Sequence, residues 1–338
     1  MDIGEIARRS GVSRSTVSYA LSGKRSVSEA TRRRIQAVVD ELGYRPNAAA
    51  RALKEGRTRT LGLVVPPAVG RLTLMQLEFV AAVMEAAARA DLDVLLSPSG
   101  EDHDRSFERL VTGRRVDGVI VMEIRLDDPR VTRLQEAGMP FVAIGRTSRP
   151  QRTCWVDVDY TTLVARCVDH LADLGHRHVA LLNRPAPLVA SGYGPGQRAR
   201  QGFVEAAARR QVVGTELCCD DDMAAGERCV VELLHAQPEI SAMVTVNEAA
   251  LPGVQRGLER AGRSVPGRFS IVGVAARYWA EQFHPPLTAA DVPAGEMGTT
   301  AVEFLIQRIA EPDAPPQQRL LTPPISLRSS TGPAERVR

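Results

Sequence analysis

The sequence predicts an α/β protein in which a small N-terminal helix-turn-helix bundle precedes two doubly wound parallel-sheet subdomains. The length of 338 residues is long for one domain and suits two or three. Residues 1–45 carry the periodicity of short amphipathic helices. From residue 60 onward, short apolar runs alternate with helical patterns, and such alternation is typical of parallel sheets.

The apolar spacing of the first 43 residues predicts three helices. They run over residues 3–10, from Arg14 to about Leu21, and over residues 29–42. Gly11 permits the tight turn between the first two. The side chains expected to face inward recur at i, i+3 and i+4: Ile3, Ile6, Ala7, Val17, Ala20, Leu21, Ile35, Val38, Val39 and Leu42. Two short helices joined at a glycine and followed by a third are typical of a helix-turn-helix bundle.

Capping residues mark where these helices begin and end. Asp2 precedes the first helix, with Glu5 three residues later, which is close to a capping box. Ser13 and Ser28 are the expected N-caps of the second and third helices. Gly43 is expected to end the third helix, because glycine readily adopts the left-handed conformation found there.

The positive charge is concentrated at the N-terminus. Residues 1–60 contain 13 lysines and arginines against six acidic residues, a net charge of +7, whereas the rest of the chain sums to −4. Both lysines of the chain, Lys24 and Lys54, lie in this segment. A basic segment on a mildly acidic body indicates a polyanion as its partner. On charge alone, a solvated basic surface is the alternative.

The outer face of the second helix differs from that of an ordinary surface helix. In "VSRSTVSYALSG", residues 12–23, small polar groups and an arginine stand where glutamate and lysine are common. A helix in the major groove avoids glutamate because phosphates line the groove walls. It needs short donors and acceptors for base edges, and arginine for guanine. We expect Arg14 and Ser15 to read bases. Ser13, Thr16 and Ser18 are expected to position the backbone, and Tyr19 to serve either role.

Several motifs follow one another at defined spacings along the chain. The N-terminal ones are "GVSRSTVSYALSG", "VSEATRRRI", "ELGYRPNAAARAL" and "RTRTLGLVVP". Further along are "RRVDGVIV", "AGMPFVAIGR", "HLADLGHRHVALL", "PGRFSIVGV" and "HPPLTAADVPAGEMG". In order and spacing they resemble the lactose-repressor (LacI) family of transcription factors over the whole chain. The resemblance implies a homodimer that binds a palindromic double-stranded DNA operator, most often as a repressor.

The same resemblance assigns a function to residues 47–54, "NAAARALK". In the family this hinge segment forms a helix on operator DNA, and two copies enter the minor groove. Asn47 would cap it, Leu53 would wedge into the central base step, and Lys54 would contact the groove edge. A plain interdomain linker is the alternative. The expected DNA contacts are Ser13, Arg14, Ser15, Thr16, Ser18, Tyr19, Lys24, Asn47, Ala50, Leu53 and Lys54.

The body resembles the periplasmic-binding-protein fold. One strand series reads "TLGLVVP", "DVLLSP", "DGVIVME" and "PFVAIG", and a second reads "HVALLN", "TELCC", "AMVTVN" and "FSIVGV". The helices expected between strands are Leu77–Ala90, Asp104–Arg114, Pro129–Ala137, Thr161–Leu174, Gln197–Arg210, Gly226–His235 and Glu248–Arg260. Two series predict two subdomains, and a ligand belongs in the cleft between them, at the C-terminal ends of the strands. Domain closure there would move the hinge helices.

These patterns give three expected domains. They are a helix-turn-helix domain over 1–46, a hinge helix and linker over 47–59, and an effector-binding and dimerisation domain over 60–338. Within the last domain, the first subdomain is expected over about 60–159 and 290–322, and the second over about 160–289.

The cleft residues depart from the family pattern. The loop "PPAVGRLTLMQ" lacks the family's Asn-Pro-aromatic-aromatic stretch, Ala199 stands where the family has an arginine, and Ala275 stands where it has a carboxylate. Because sugar hydroxyls need bidentate carboxylates and a guanidinium, a simple sugar is not the expected effector. A larger or more apolar effector, or none, remains open. The expected effector-site residues are Arg71, Leu72, Arg146, Ser191, Arg198, Asn247, Glu248, Ala275 and Trp279.

Export, membrane insertion and metal chemistry are not expected. The N-terminus "MDIGEIARRSG" is charged, and no apolar run approaches the roughly 20 residues that span a bilayer, so we expect a cytoplasmic protein. The five cysteines form no CxxC pair and are expected to be reduced, with a redox pair at Cys218 and Cys219 as the alternative. His176 and His178 are expected to be structural, and we expect no metal or cofactor.

A protein of another class remains as the alternative to a regulator. The body alone would suit a cleft enzyme or a solute-binding protein with a basic tail. Neither has a use for a groove-entering helix, and no nucleophile–base pair stands out in the sequence. We therefore expect a transcriptional regulator without enzymatic activity.

Overall fold

The structure is a computed structural model, and it describes residues 3–22, 25–43, 56–65, 72–98, 104–113 and 115–335. The chain divides into two compact units, Met1–Thr58 and Arg59–Arg338. Within the described residues, no helix combines the length and the apolar character needed to cross a membrane.

The N-terminal unit contains a three-helix bundle. Its helices are α1 (Ile3–Ser10), α2 (Arg14–Ser22) and α3 (Glu29–Leu42). The buried core consists of Ile6, Ala7, Val17, Ile35 and Val39, and the side chains packed against it are Ile3, Val12, Ala20, Leu21, Val38 and Leu42. Every position predicted to face inward belongs to this set, so the predicted helix faces are confirmed.

Caps fix both ends of α3. Ser28 Oγ accepts a hydrogen bond from the Thr31 N–H, and Gly43 adopts the left-handed conformation with φ of 57°. The Gly43 N–H points to the carbonyl oxygens of Val39 and Asp40. The predicted N-cap and the predicted end of this helix are both confirmed.

The first subdomain of the C-terminal unit is built on a six-stranded parallel sheet. Its strands are β1 (Thr60–Val65), β2 (Asp93–Pro98), β3 (Gly118–Val121), β4 (Phe141–Ile144), β5 (Cys154–Val158) and β11 (Gln318–Leu321). Its helices are α4 (Leu74–Arg89), α5 (Asp104–Thr112), α6 (Pro129–Glu136) and α13 (Ala294–Ala310). The strand order is β11-β5-β4-β3-β1-β2. Strands β3, β4 and β5 are buried throughout, as expected for a sheet covered on both faces.

The second subdomain repeats this plan. Its strands are β6 (His178–Asn183), β7 (Val213–Cys218), β8 (Ala242–Thr245), β9 (Ser270–Ala275), β10 (Thr288–Asp291) and β12 (Ile325–Ser326). Its helices are α7 (Tyr160–Asp173), α8 (Ala186–Ala190), α9 (Gly194–Arg210), α10 (Met223–Ala236), α11 (Leu251–Arg260) and α12 (Arg277–Gln282). The order is β12-β10-β9-β8-β6-β7, with only β12 antiparallel to its neighbour.

The chain passes between the two sheets three times. The connections run from β5 to α7, from β10 to α13 and from β11 to β12. Because the strands of each sheet are almost all parallel, their carboxyl ends lie at one edge. A cleft between the subdomains is therefore lined by segments that follow strands of both sheets.

Helix starts differ from the predicted ones where local caps intervene. Helix α4 begins at Leu74 instead of residue 77, because Thr73 and Gln76 form a capping box ahead of it. Helix α9 begins at Gly194 instead of residue 197, with a proline in its first turn. The helix predicted from Glu248 starts as a 3-10 turn, Glu248–Ala250, and becomes α-helical at Leu251.

Several late elements were not predicted. Strand β5 reads "CWVDV", and the buried Asp157 interrupts its apolar pattern. The first seven residues of helix α13 include two glycines and two threonines, which are weak helix formers, yet the helix buries Met297, Ala301 and Leu305. The short strands β10, β11 and β12 gave no clear sequence signal.

His176 anchors the C-terminal segment of the second subdomain. Its Nδ1 lies 2.8 Å from Ser241 Oγ, and its Nε2 lies 3.0 Å from Ser270 Oγ and 3.1 Å from the Gly332 carbonyl oxygen. Burial lowers the pKa of His176, which favours a neutral ring able to donate and accept in this network. This is the structural position expected from the sequence.

Candidate functional site

Ser13 organises the exposed start of α2. Its Oγ accepts a hydrogen bond from the Thr16 N–H at 3.1 Å and so caps the helix. The same oxygen lies 2.8 Å from Thr16 Oγ1 and 2.7 Å from Ser15 Oγ. Three hydroxyl groups thus form one polar patch at the helix N-terminus, while the buried Val17 fixes the helix to the core.

Arg14 lies at the same end of α2 and is exposed. Its guanidinium packs over Gly4 of α1, where an added Cβ would come within 2.5 Å of Nη2 and 2.9 Å of Nε. Glycine at position 4 therefore makes room for this side chain. The guanidinium is held beside the N-terminal turn of α2, which is the part of the second helix that meets base edges in helix-turn-helix domains.

The far end of α2 carries a cation–π contact. Arg25 Cζ lies 5.4 Å from the ring centroid of the half-buried Tyr19. Arg25 was not among the predicted DNA contacts. Its positive charge just beyond the end of α2 could have indicated one. Ser18 is also half-buried on α2.

Some predicted contacts lie outside the described residues. They are Lys24, Asn47, Ala50, Leu53 and Lys54 of the DNA set and Arg71 of the effector set. The predicted hinge helix, residues 47–54, also lies outside the described residues.

A cavity lies in the cleft of the C-terminal unit. It is lined by residues 122–124 after β3, Gly145 after β4, residues 157–158 at the end of β5, Arg184 after β6 and residues 246–249 after β8. Apolar and aromatic walls are contributed by Met75, Phe79, Ile144, Tyr160, Tyr193, Val292 and Met297. Apolar walls with a few convergent polar groups are typical of small-molecule sites.

Glu123 places a carboxylate at this cavity from a strained backbone. Its φ of 55° lies in the left-handed region, which is rare for a non-glycine residue. Its Oε1 accepts hydrogen bonds from Gln76 Nε2 at 3.2 Å and from Tyr193 Oη at 3.3 Å. Such strain persists only where the surroundings hold it, and it is found disproportionately at binding sites.

Asp157 is a buried carboxylate held between two guanidinium groups. Its Oδ2 lies 2.9 Å from Arg146 Nη1 and 3.8 Å from Arg198 Nη1, and its Oδ1 accepts from the Val158 N–H. Burial raises the pKa of Asp157 to about 6, and the two arginines oppose that rise.

Glu248 joins the subdomains through two backbone donors. Its Oε1 accepts from the Met75 N–H in the first turn of α4, and its Oε2 accepts from the Ala276 N–H, both at 3.0 Å. Met75 belongs to the first subdomain, whereas Glu248 and Ala276 belong to the second. Burial raises the pKa of Glu248, and the two N–H donors oppose the rise.

Arg184 is already paired on the second-subdomain side of the cavity. Its Nε and Nη2 donate to the two oxygens of Asp221 at 2.9 and 2.8 Å, and its Cζ lies 5.4 Å from the Tyr193 ring centroid. Burial raises the pKa of Tyr193 well above its usual value. Tyr193 therefore faces the cavity as a neutral hydroxyl that donates to Glu123.

The structure places the predicted effector residues in three groups. Asn247 and Glu248 line the cavity, and Asn247 Nδ2 donates to the Cys219 carbonyl at 2.8 Å. Arg146 and Arg198 contact Asp157. Neither arginine belongs to the described lining, and the same holds for the third group, which comprises Leu72, Ser191, Ala275 and Trp279. As effector contacts, all eight stay predictions.

The strongest polar groups of the cavity were missed by sequence reasoning. Glu123 and Arg184 each follow a strand that was predicted, "DGVIVME" and "HVALLN", so the rule that ligands meet strand C-termini could have found them. Asp157 and Tyr160 could not be found in that way, because β5 itself was not predicted.

Comparisons with known proteins agree with this architecture. Residues 2–47 match the family of bacterial regulatory proteins of the lacI type, and residues 168–331 match the periplasmic binding protein-like domain. The chain is 32% identical over 346 residues to the HTH-type transcriptional regulator AglR of Rhizobium meliloti (strain 1021), covering 99% of this chain and 95% of that one. It is 31% identical over 334 residues to the HTH-type transcriptional regulator CelR of Thermobifida fusca, covering 96% of each.

Two solved structures are similar over nearly the full length. One is the transcriptional regulator CelR–cellobiose complex, with a TM-score of 0.72, 28% identity, and coverage of 98% of this chain and 99% of that one. The other is the lac repressor dimer bound to operator and the anti-inducer ONPF, with a TM-score of 0.86, 24% identity and the same coverage. The second likeness shows the fold alone.

The fold and the relatives together define a transcriptional regulator with a helix-turn-helix domain and a periplasmic-binding-like domain. The chain belongs to the LacI family of bacterial regulatory proteins. The predicted fold class and family are confirmed.

Proposed function

We propose that this protein is a homodimeric cytoplasmic repressor that binds a palindromic operator through α2 of each subunit and performs no enzymatic step. The exposed start of α2 carries the proposal. There Ser13, Arg14 and Ser15 present hydroxyl and guanidinium groups, and the helix contains no acidic residue. These groups suit base edges and phosphates. One small module buries too little surface for tight specific binding, so two are required.

A pair of charge reversals tests this proposal. Genomic fragments that the full-length protein retains are sequenced and footprinted, and we expect a protected inverted repeat. Arg14→Glu puts a carboxylate into the groove and should abolish the footprint. Arg33→Glu is the matched control, because Arg33 is exposed on α3 and lies 3.5 Å from Glu29. Recovery of no inverted repeat, or a normal footprint from Arg14→Glu, would overturn the proposal.

We also propose that the cleft binds a glycoside larger than a monosaccharide as its effector. The cavity offers the carboxylates of Glu123 and Asp157 for hydroxyl groups and aromatic rings, such as Phe79 and Tyr160, for sugar faces. Ala199 and Ala275 are fully buried and contribute no polar side-chain atom. CelR, a relative, has been solved with the disaccharide cellobiose.

Calorimetry with the full-length protein tests the effector class. Cellobiose and other disaccharides are titrated beside glucose and ribose. We expect micromolar affinity for at least one disaccharide and no measurable heat with either monosaccharide. Micromolar binding of glucose or ribose contradicts the proposal, and so does the failure of every disaccharide.

A further inference from the structure

Arg198 crosses the cleft from the second subdomain to the first. It lies on α9 and is only 8% exposed. Its Nη2 donates to the carbonyl oxygens of Arg146 at 2.8 Å and Thr147 at 3.3 Å, both in the segment that follows β4. A guanidinium is a planar fork of donors, so one side chain can hold two acceptors at once.

The other arm of this guanidinium faces a charge. Arg198 Nη1 lies 3.8 Å from Asp157 Oδ2 and makes no hydrogen bond to any other part of the chain that the structure describes. Asp157 lines the cavity, and Arg146 approaches the same oxygen from within the first subdomain. Opening the cleft would move Arg198 away from two carbonyls and one carboxylate together.

The start of α9 is shaped to admit Arg198. A Cβ at Gly194 would come within 2.6 Å of Arg198 Nη1 and 3.0 Å of the Ile124 carbonyl oxygen. The Gly194 N–H donates to that same carbonyl at 2.9 Å, across the cleft. A side chain at position 194 would thus displace either the guanidinium or the first subdomain.

Three backbone amides are bonded across the cleft and report on its closure. The Gly194 N–H is one of them. The Leu126 N–H donates to the Gly192 carbonyl at 2.7 Å, and the Met75 N–H donates to Glu248 Oε1 at 3.0 Å. We expect these donors to exchange slowly while the cleft is closed, because their acceptors lie in the other subdomain.

We propose that Arg198 is a positioning residue that clasps the two subdomains and sets how often the effector cleft is closed. Hydrogen bonds to a charged group are stronger than neutral ones, and the Arg198 side chain donates to the carbonyls of both Arg146 and Thr147. Removing it shifts the population towards the open form. Apparent effector affinity then falls in proportion to the closed fraction; this consequence alone rests on the effector site proposed above.

Residue-resolved hydrogen exchange on the full-length protein tests the clasp. In Arg198→Gln, we expect the Met75, Leu126 and Gly194 amides to exchange on the order of tenfold faster or more, since about 1.4 kcal/mol corresponds to tenfold. The Val119 and Val213 amides, which are bonded within their own subdomains, should exchange as in wild type. Arg200→Gln is the matched control, because Arg200 lies on the same helix and pairs with Glu216 in its own subdomain.

The Met75 amide decides the outcome, because its acceptor, Glu248, follows β8 and lies on a different element from Arg198, which is on α9. If Met75 exchanges in Arg198→Gln as in wild type, the clasp is refuted. If Arg198→Gln folds poorly, two other variants test the clasp. Gly194→Ala keeps the arginine but displaces its guanidinium. Arg198→Lys keeps the positive charge but removes the planar guanidinium. Both should speed Met75 exchange, and unchanged exchange in both refutes the clasp. Operator binding is not used in this test, so failure of the proposed repressor function would appear separately.

Discussion

The outer face of α2 and the cleft of the C-terminal unit are different kinds of binding surface. On α2, the polar groups lie within four consecutive residues, 13–16, and bond mainly to one another near solvent. In the cleft, the polar groups come from the ends of separate strands and are bonded across the two subdomains. The first surface can meet a partner without breaking long-range contacts. Several contacts of the second join its two subdomains, so a movement of the subdomains would break them, which suits this surface to regulation.

The largest expected effect comes from breaking the N-terminal unit alone. Ile6→Asp puts an unpaired carboxylate into a core of five buried side chains and should abolish operator binding. Calorimetry should show the main unfolding transition of the C-terminal unit unchanged. Ile6→Val is the control and should cost about 0.5–1.5 kcal/mol of stability. Retained operator binding in Ile6→Asp would show that the bundle is not the DNA-binding element.

Leu53→Ala should reduce both operator affinity and DNA bending. A side chain wedged between base pairs unstacks them at a cost on the order of a few kcal/mol. The resulting bend offsets this cost, because bent DNA contacts more protein surface. The predicted hinge helix is too short to be stable alone, so contacts with the second hinge helix and with DNA must stabilise it. Bend angles are measured for both proteins on one operator. If Leu53→Ala bends and binds the operator as well as wild type does, the wedge role is wrong and residues 47–54 serve only as a tether.

Arg14→Ala should relax sequence preference at one position of each half-site. A lost bidentate contact to guanine costs about 1–3 kcal/mol. Affinities are measured against operators that carry each base at every position, with Arg33→Ala as the control. Uniform weakening across all sequences would instead identify Arg14 as a phosphate contact.

Asp157→Asn should have an effect on stability, not on operator binding, and this effect depends on pH. The pKa of Asp157 is raised from 3.8 to about 6, so its ionisation destabilises the folded state over that interval. Relative to Asp157→Asn, the wild type should therefore lose thermal stability as the pH rises from about 4 to about 6. If the wild type instead gains stability over this interval, the guanidinium groups of Arg146 and Arg198 lower the pKa of Asp157 by more than burial raises it.

The bundle could be predicted from sequence because its information is local. Caps such as Ser28 and Gly43, and inward positions such as Ile35 and Val39, act within one or two helical turns. The candidate readers Arg14 and Ser15 followed from the same periodicity. Each of these inferences needed only one helix.

The cleft could be predicted only in its location. Strand alternation placed a ligand at the strand C-termini, and Asn247 and Glu248 do line the cavity. Which side chains converge there depends on register and closure between distant segments. For that reason the bond between Glu248 and the Met75 amide, 173 residues away, had no sequence signal.

Half-site geometry tests the central claim most directly. The account holds that two copies of α2, one per subunit, read two half-sites at a fixed separation. Five base pairs inserted at the operator centre turn one half-site by about half a helical turn. We predict that the full-length dimer then binds no better than it binds a single half-site, a loss on the order of a thousandfold. Equal affinity for the native and the lengthened operator would contradict the account.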